Sequence, residues 1–176
     1  MAVRGTAFDN AKWELSHRYL TGQIDRATNR TVLMHQLLRN LKLGVEWNQQ
    51  AGEVGFVANW RAIPETRRRP AVIFGTSSDR IGTPTGQSYY ATFSKSLHHE
   101  TGLPIAPYVS ASYSGYEGRM LFPFGINSGI GQHWSVMLMN DGVHTHLSGT
   151  YAWSRYAFTV LLVERKDPGI TFGTRF

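Results

Sequence analysis

The sequence predicts an all-β chain whose strands form one antiparallel, up-and-down sheet that closes into a barrel. Three observations predict this fold class. Apolar and polar side chains alternate with a period of two, in segments of about ten residues. Turn residues such as Asn140-Asp141-Gly142 separate these segments at short intervals. The last segment, residues 169–176, repeats the alternation and ends on Phe176.

The first two predicted strands lie close to the N-terminus. Residues 12–22 alternate through Trp13, Leu15 and Tyr19, which indicates a strand. Residues 31–38 are ambiguous, because leucines at 33, 37, 38 and 41 also fit one face of a helix. We favour a strand there, because a clear strand follows almost at once at residues 41–47.

The clearest pair of strands is a hairpin formed by residues 41–47 and 54–62. The apolar face of the first strand carries Leu41, Leu43, Val45 and Trp47. The second strand adds Val54, Phe56 and Trp60 on its apolar face. Each strand thus has one uniformly apolar face and a tryptophan close to one end.

The rest of the chain continues the pattern. Residues 71–76 are apolar throughout, so their facing is left open, and residues 77–87 form the longest predicted loop. Further strands are predicted over residues 88–94, 107–113, 120–127, 134–139, 144–153, 156–163 and 169–176. Pro123 interrupts one of them and indicates an edge or a bulge. The total is about twelve strands, with ten as the alternative, because single-chain bacterial barrels use even numbers.

Composition limits the classes of protein that remain. The chain has 176 residues, which fits a single domain over residues 12–176 after a flexible tail at 1–11. No apolar run approaches the roughly 20 residues of a spanning helix. The first residues contain no apolar signal segment, so if the protein is exported, we expect this chain to be its mature form with an added Met. The net charge is +6 and cysteine is absent.

The residue types on the two faces of the strands indicate that the apolar face contacts lipid outside the barrel. Small residues such as Gly44, Gly55 and Ser112 fall on the polar face, where a crowded lumen would need them. Trp13, Trp134 and other large aromatics fall near strand ends on the apolar face. Aromatic girdles occupy this position at the two membrane interfaces. The sequence therefore predicts a transmembrane barrel with an apolar exterior and a polar lumen.

The repeated alternation and the terminal strand resemble bacterial outer-membrane β-barrels of the porin-like kind. The segments Gly-Thr-Ser-Ser-Asp at 75–79, Tyr-Tyr-Ala-Thr-Phe-Ser-Lys at 89–95 and Asn-Asp-Gly at 140–142 are similar to barrels associated with exopolysaccharide export. The resemblance implies a Gram-negative outer-membrane location, contact with the lipid bilayer and lipopolysaccharide, and recognition of the C-terminal strand by the assembly machinery. It implies a passive transport channel or a structural barrel, with no cofactor and no enzyme activity.

Two sets of residues follow from the predicted facing. The lumen is expected to contain Glu14, Arg18, Lys42, Glu46, Asn59, Arg61, Ser110, Ser112, His144, His146 and Arg175. The lipid-facing set is Leu41, Leu43, Val45, Trp47, Val54, Phe56, Trp60, Phe93, Phe122, Phe124, Val136, Leu138, Ile170, Phe172 and Phe176. The mixed charges of the lumen, with a slight basic excess, predict a mild preference for small anionic solutes.

Other functions remain open at this point. An outer-membrane hydrolase of the lipase or protease kind would use His144 or His146 with Ser148 and Asn140, supported by groups from adjacent strands. A soluble β-barrel that binds an apolar ligand would turn the same alternation inside out. No metal site is expected from His144 and His146, since two ligands without a third do not hold zinc. Nucleic-acid binding is not expected, because Arg67-Arg68-Arg69 is the only basic cluster.

Overall fold

The computed structural model describes residues 11–21, 28–164 and 166–176. The tail predicted at residues 1–11 lies, except for Ala11, outside the described residues. The strands are β1 Trp13–Leu20, β2 Asn29–Leu38, β3 Leu41–Asn48, β4 Glu53–Ile63, β5 Ala71–Ser78, β6 Gln87–Ser94, β7 Ile105–Ser114, β8 Arg119–Leu121, β9 Phe124–Ile130, β10 Trp134–Asn140, β11 Thr145–Trp153, β12 Tyr156–Val163 and β13 Asp167–Arg175. A short helix, α1 His98–Thr101, lies between β6 and β7.

The strands form one closed antiparallel barrel. Each strand pairs with its neighbours in the chain, and β1 closes the ring by pairing with β13, with Glu14 opposite Arg175 and Leu20 opposite Gly169. The predicted all-β, up-and-down barrel is confirmed. The ambiguous segment at 31–38 is a strand, β2, paired on both sides. Every strand except the short β8, which pairs with β7 alone among the described strands, is paired on both sides, so the ring is closed along its whole circumference.

Pro123 divides one barrel strand into β8 and β9. Both segments pair with β7, so together they fill one position and give a barrel of twelve strands. The sequence predicted an edge or a bulge at Pro123, and the structure shows an interruption between two paired segments. The carbonyl oxygen of Pro123 still accepts a hydrogen bond from the backbone N–H of Ser110 at 2.7 Å. The barrel wall is thus closed here although the proline has no N–H to donate.

The two faces of the barrel have opposite character. Val54, Phe56 and Phe172 on the outer face are 73%, 51% and 50% exposed. Glu46, Asn48 and Ser114 on the inner face are almost completely buried. The small apolar core of the described residues lies inside one end of the barrel, where Ile81 and Leu161 pack against Leu20 and Val163. Within the described ranges, no helix is both long and apolar enough to cross a membrane.

Two ends of the barrel are distinguished below. The terminal rim is the end where Trp13 pairs with Phe176 and where the turns 39–40, 64–70, 95–104, 131–133 and 154–155 lie. The loop rim is the opposite end, with the connections 21–28, 49–52, 79–86, 115–118, 141–144 and 164–166.

Candidate functional site

One half of the inner wall, formed by β1 to β4, is charged. Arg18 lies directly opposite Arg30 across the β1–β2 pair. Arg30 forms an ion pair with Glu46, whose carboxylate is buried and also accepts a hydrogen bond from the backbone N–H of Ser78 at 2.5 Å. The Arg18 Nε atom is buried and has no hydrogen-bond partner among the described residues. One carboxylate therefore faces two adjacent guanidinium groups, which leaves a local excess of positive charge.

A second charged group lies nearer the terminal rim. Glu14 accepts a hydrogen bond from Lys42 at 2.6 Å and lies 3.1 Å from Arg175 Nε. Arg175 and Arg61 are both exposed, at the terminal rim. Asn59 lies deeper in the barrel, where its amide is 3.5 Å from the hydroxyl of Tyr90.

The other half of the inner wall, on β6, β7 and β9, carries hydroxyl groups in place of charges. Ser110 and Ser112 are buried, and Ser110 shares a hydrogen bond of 2.5 Å with Thr92. Tyr90 and Tyr108 lie on the same wall. These residues line a cavity of about 320 Å³ that extends to Asp79, Arg80 and Asp141. The lumen thus contains a space that has hydroxyl groups on one wall and charged groups of Asp79, Arg80 and Asp141 toward the loop rim.

Both tyrosines of this wall pack against a glycine directly opposite on the neighbouring strand. Tyr90 faces Gly75, and Tyr108 faces Gly125. A Cβ atom on Gly75 would come within 2.4 Å of the Tyr90 ring, and one on Gly125 within 2.7 Å of the Tyr108 ring. Since no side chain fits below either ring, each ring lies against the wall of the barrel.

The loop at 79–86 folds into the loop rim. Asp79 accepts hydrogen bonds from Ser114 Oγ at 2.7 Å and from the backbone N–H of Tyr116 at 3.1 Å. Ile81 packs on Leu20 and Val163, which belong to strands on the far side of the barrel. The loop therefore crosses the lumen and narrows it. The sequence indicated only a long loop here, although a lone Ile within a Gly-, Pro- and Ser-rich stretch was a usable signal.

The connection at 115–118 holds the loop at 79–86 in place through an ion pair. Arg80 donates a hydrogen bond to Glu117 at 2.6 Å, and Arg119 donates to the other oxygen of the same carboxylate at 2.6 Å. These two hydrogen bonds hold the pKa of Glu117 below its usual range. Glu117 is therefore ionised at neutral pH and fixes the position of Arg80.

The His146 ring links the connection at 141–144 to Glu164, and both lie at the loop rim. Its Nε2 lies 3.0 Å from Asp141 Oδ2, and its Nδ1 accepts a hydrogen bond from the backbone N–H of Glu164 at 3.3 Å. His144 Nε2 lies 3.4 Å from Glu164 Oε1. Ser148 has no hydrogen bond to either histidine among the described residues. Both ring nitrogens of His146 are occupied in holding loops together, so this arrangement lacks the serine relay of a hydrolase.

The ionisation of Asp141 is tied to this network. Burial alone would raise the pKa of Asp141, but hydrogen bonds from His146 and from the backbone N–H groups of His144 and Val143 outweigh burial and lower it. A lowered pKa contributes stability that is present above the unfolded value of about 4 and is lost as pH falls through the folded value.

We therefore expect the protein to unfold at lower urea concentration at about pH 3 than at about pH 6. Asp141→Asn should reduce this pH dependence, because the amide side chain does not titrate. Asp167→Asn is the matched control, since the Asp167 carboxylate has no hydrogen bond to the described residues. Equal pH dependence of Asp141→Asn and the parent protein would contradict the assignment.

The remaining predicted residues lie as follows. Most of the predicted lipid-facing side chains are exposed on the outer face, including Trp47, Phe93, Phe122, Phe124, Leu138, Ile170 and Phe176. Leu41, Leu43 and Val136 are half-buried. Sequence reasoning missed Arg30, Tyr90 and Tyr108. Arg30 was missed because residues 22–30 were interpreted as a turn, whereas β2 begins at Asn29. Tyr90 and Tyr108 were missed because aromatic residues also lie on the outer face nearby, at Tyr89 and Tyr113.

Twelve antiparallel strands closed around a polar, narrowed lumen form a fold that is also found in solved outer-membrane porins. The chain is similar to the solved structure of KdgM porin, with a TM-score of 0.61 and 12% sequence identity, over 94% of this chain and 98% of that chain. It is equally similar to KdgM porin in complex with disordered oligogalacturonate, with a TM-score of 0.62, 12% identity and the same coverage. No family model and no curated protein matches the sequence.

Proposed function

We propose that this chain is a bacterial outer-membrane β-barrel that acts as a small porin-like passive channel. The observation that carries the proposal is the inversion of the barrel, with an apolar exterior and a polar, charged interior. Burial of an apolar exterior of this kind in hydrocarbon is favourable, and the closed ring satisfies the backbone without water. Contact with lipid and lipopolysaccharide, and assembly through the C-terminal strand, belong to this proposal.

The soluble alternative is not supported by the facing of the side chains. A soluble barrel with an apolar ligand requires side chains such as Val45, Phe56 and Phe172 in a dry centre. They are exposed on the outer wall instead. Lys42 and Glu46 occupy the interior, where they pair with Glu14 and Arg30.

Refolding tests the membrane assignment. The full chain should refold into detergent or phosphatidylcholine vesicles with β-type circular dichroism, and its gel mobility should change when the sample is heated. A chain that is monomeric and folded in plain buffer would contradict the assignment. Channel activity is tested separately, because a folded barrel without any conductance step in planar bilayers would be a structural barrel.

We further propose that the solutes are small anions. Arg18 and Arg30 face the lumen side by side with Glu46 as the shared carboxylate, so the field at this depth attracts negative charge. One of the similar solved porins is described in complex with oligogalacturonate, an acidic oligosaccharide. Arg18 is the better candidate for attracting a solute, because Glu46 is engaged by Arg30 and by the backbone of Ser78, and Arg18 forms no ion pair among the described residues.

Arg18→Gln should therefore lower the preference for anions. In a salt gradient of potassium chloride, the reversal potential of the variant should move toward the value of a non-selective pore, because one lumen charge is removed. Arg155→Gln is the matched control, since it removes an exposed guanidinium from the terminal rim. Identical reversal potentials for Arg18→Gln and the parent channel would contradict the role of Arg18.

A further inference from the structure

Apart from Arg175, which pairs with Glu14, the arginines of the terminal rim form an exposed basic surface. They lie on the turns and strand ends at 39, 61, 67–69 and 155, and all are exposed. None has a carboxylate within salt-bridge distance among the described residues. The carboxylates of this rim, Glu65 and Glu100, both lie 3.7 Å from Lys95 and are engaged there. The rim therefore presents guanidinium groups without internal counterions.

At the loop rim, in contrast, most of the described charged side chains are paired with one another. Arg80 and Arg119 are both paired with Glu117, and Asp141 and Glu164 are paired with histidines. Among the described residues, the terminal rim has six exposed arginines without a carboxylate partner, whereas the loop rim has Lys166 alone as an exposed cation of this kind. A purely solubilising role would not require this asymmetry between two water-exposed ends.

A girdle of tryptophans lies directly beside the basic surface. Four tryptophans lie at the strand ends that border the terminal rim and are exposed on the outer wall: Trp13, Trp60, Trp134 and Trp153. Tryptophan prefers the headgroup level of a bilayer. Arginines just beyond such a girdle lie at the depth of lipid phosphates, which guanidinium groups bind in a bidentate manner.

One arginine is joined to an apolar groove on the outer wall. The Arg155 guanidinium lies 5.1 Å above the ring of Tyr156. Below it is a groove of about 390 Å³ lined by Tyr151, Trp153, Tyr156, Phe158 and Phe172 with Ala157. This arrangement suits a phospholipid, because the guanidinium can bind the phosphate while an acyl chain fills the apolar groove. A soluble acid has no apolar chain and would leave the groove empty.

We propose that the terminal rim binds anionic phospholipids at two places on opposite sides of the barrel. Arg67 and Arg69, in the turn between β4 and β5, are the principal headgroup contacts of the first place. At the second place, between β11 and β12, Arg155 contacts a headgroup and the groove below it holds an acyl chain. This inference rests on the proposed function as a membrane-spanning barrel. The turn at 64–70 is suited to the role, because its shape depends on backbone groups and Thr66. Thr66 N–H donates to the carbonyl of Arg69 at 3.0 Å, and Arg69 N–H donates to Thr66 Oγ1 at 3.2 Å.

Native mass spectrometry of the full chain, refolded in detergent, tests the proposal with phosphatidylglycerol and phosphatidylcholine as probes. The parent protein should retain phosphatidylglycerol in preference to phosphatidylcholine. A basic residue near a lipid surface changes binding by about fivefold, so Arg67→Gln with Arg69→Gln should reduce phosphatidylglycerol binding by about 25-fold. The matched control, Arg119→Gln with Lys166→Gln, removes two cations from the loop rim and should retain the lipid.

Three results would overturn the inference. They are equal retention of the two lipids by the parent protein, equal losses in the two double variants, and binding of soluble polyglutamate without binding of phosphatidylglycerol. Folding and conductance in phosphatidylcholine bilayers are measured on the same preparations. If these persist while lipid selectivity is absent, the headgroup site alone fails. If the chain does not insert at all, the proposed function fails with it.

Discussion

Asp79→Ala is expected to raise the single-channel conductance severalfold by releasing the loop at 79–86 from the lumen. The Asp79 carboxylate is buried and holds the loop to β7 through Ser114 and the backbone of Tyr116. A hydrogen bond to a charged group contributes about 2 kcal/mol, so losing these contacts shifts the loop strongly toward open conformations. Conductance steps in planar bilayers measure the effect.

The comparison for this variant is Asp167→Ala. It removes one negative charge from the same rim without detaching the loop, so it separates the electrostatic effect from the steric effect. Conductance should stay near the parent value in Asp167→Ala and rise only in Asp79→Ala. If the two variants behave alike, the loop does not restrict the channel.

Glu46→Gln is expected to have the largest effect on stability. The change keeps the shape of the side chain but leaves Arg30 and Arg18 without their shared carboxylate in the interior. Breaking a buried ion pair on one side costs about 3 kcal/mol, because an uncompensated charge remains. The urea midpoint for unfolding should fall accordingly, and the preference for anions should increase in the molecules that fold.

Two further variants sharpen this test. Glu14→Gln removes the partner of Lys42 and Arg175, which are only partly buried, so the cost should be about 1 kcal/mol or less. Arg30→Gln added to Glu46→Gln should recover part of the lost stability, since it removes the orphaned charge. A Glu46→Gln protein as stable as the parent would mean that water in the lumen solvates both arginines.

The sequence was sufficient to predict the strands and the overall architecture, because each depends on local patterns. Alternation placed β3, β4 and β11 within one or two residues of their bounds, and the Asn-Asp-Gly turn and Pro123 marked a hairpin and a break. The facing of residues 71–76 could not be read, because side chains of both faces are apolar there. It is the register with β4 that places Phe74 beside Trp60 on the outside.

The charge network of the lumen could not be predicted from alternation. Period two indicates which side chains face inward, but not which of them meet across the barrel. Arg30 meets Glu46 from the neighbouring strand, and Glu46 also reaches Ser78, which is two strands further along the ring. The crossing loop depends likewise on contacts between Ile81 and strands distant in sequence. The sequence offered His144 and His146 as candidate catalytic residues, whereas in the structure their partners are Asp141 and Glu164 in two connections of the loop rim.

The contact between each lumen tyrosine and its glycine has a consequence for natural variation. A relative that carries alanine or a larger residue at position 75 can no longer accommodate an aromatic ring at position 90, and the same holds for positions 125 and 108. A Cβ atom would also come within 2.5 Å of the Ala58 backbone oxygen at position 75 and within 2.6 Å of the Leu138 backbone oxygen at position 125. We therefore expect glycine to be kept at both positions in homologues, including those without the rings. A relative that has lost both rings would have a wider lumen along this wall. The change requires no alteration of the backbone hydrogen bonds of the barrel.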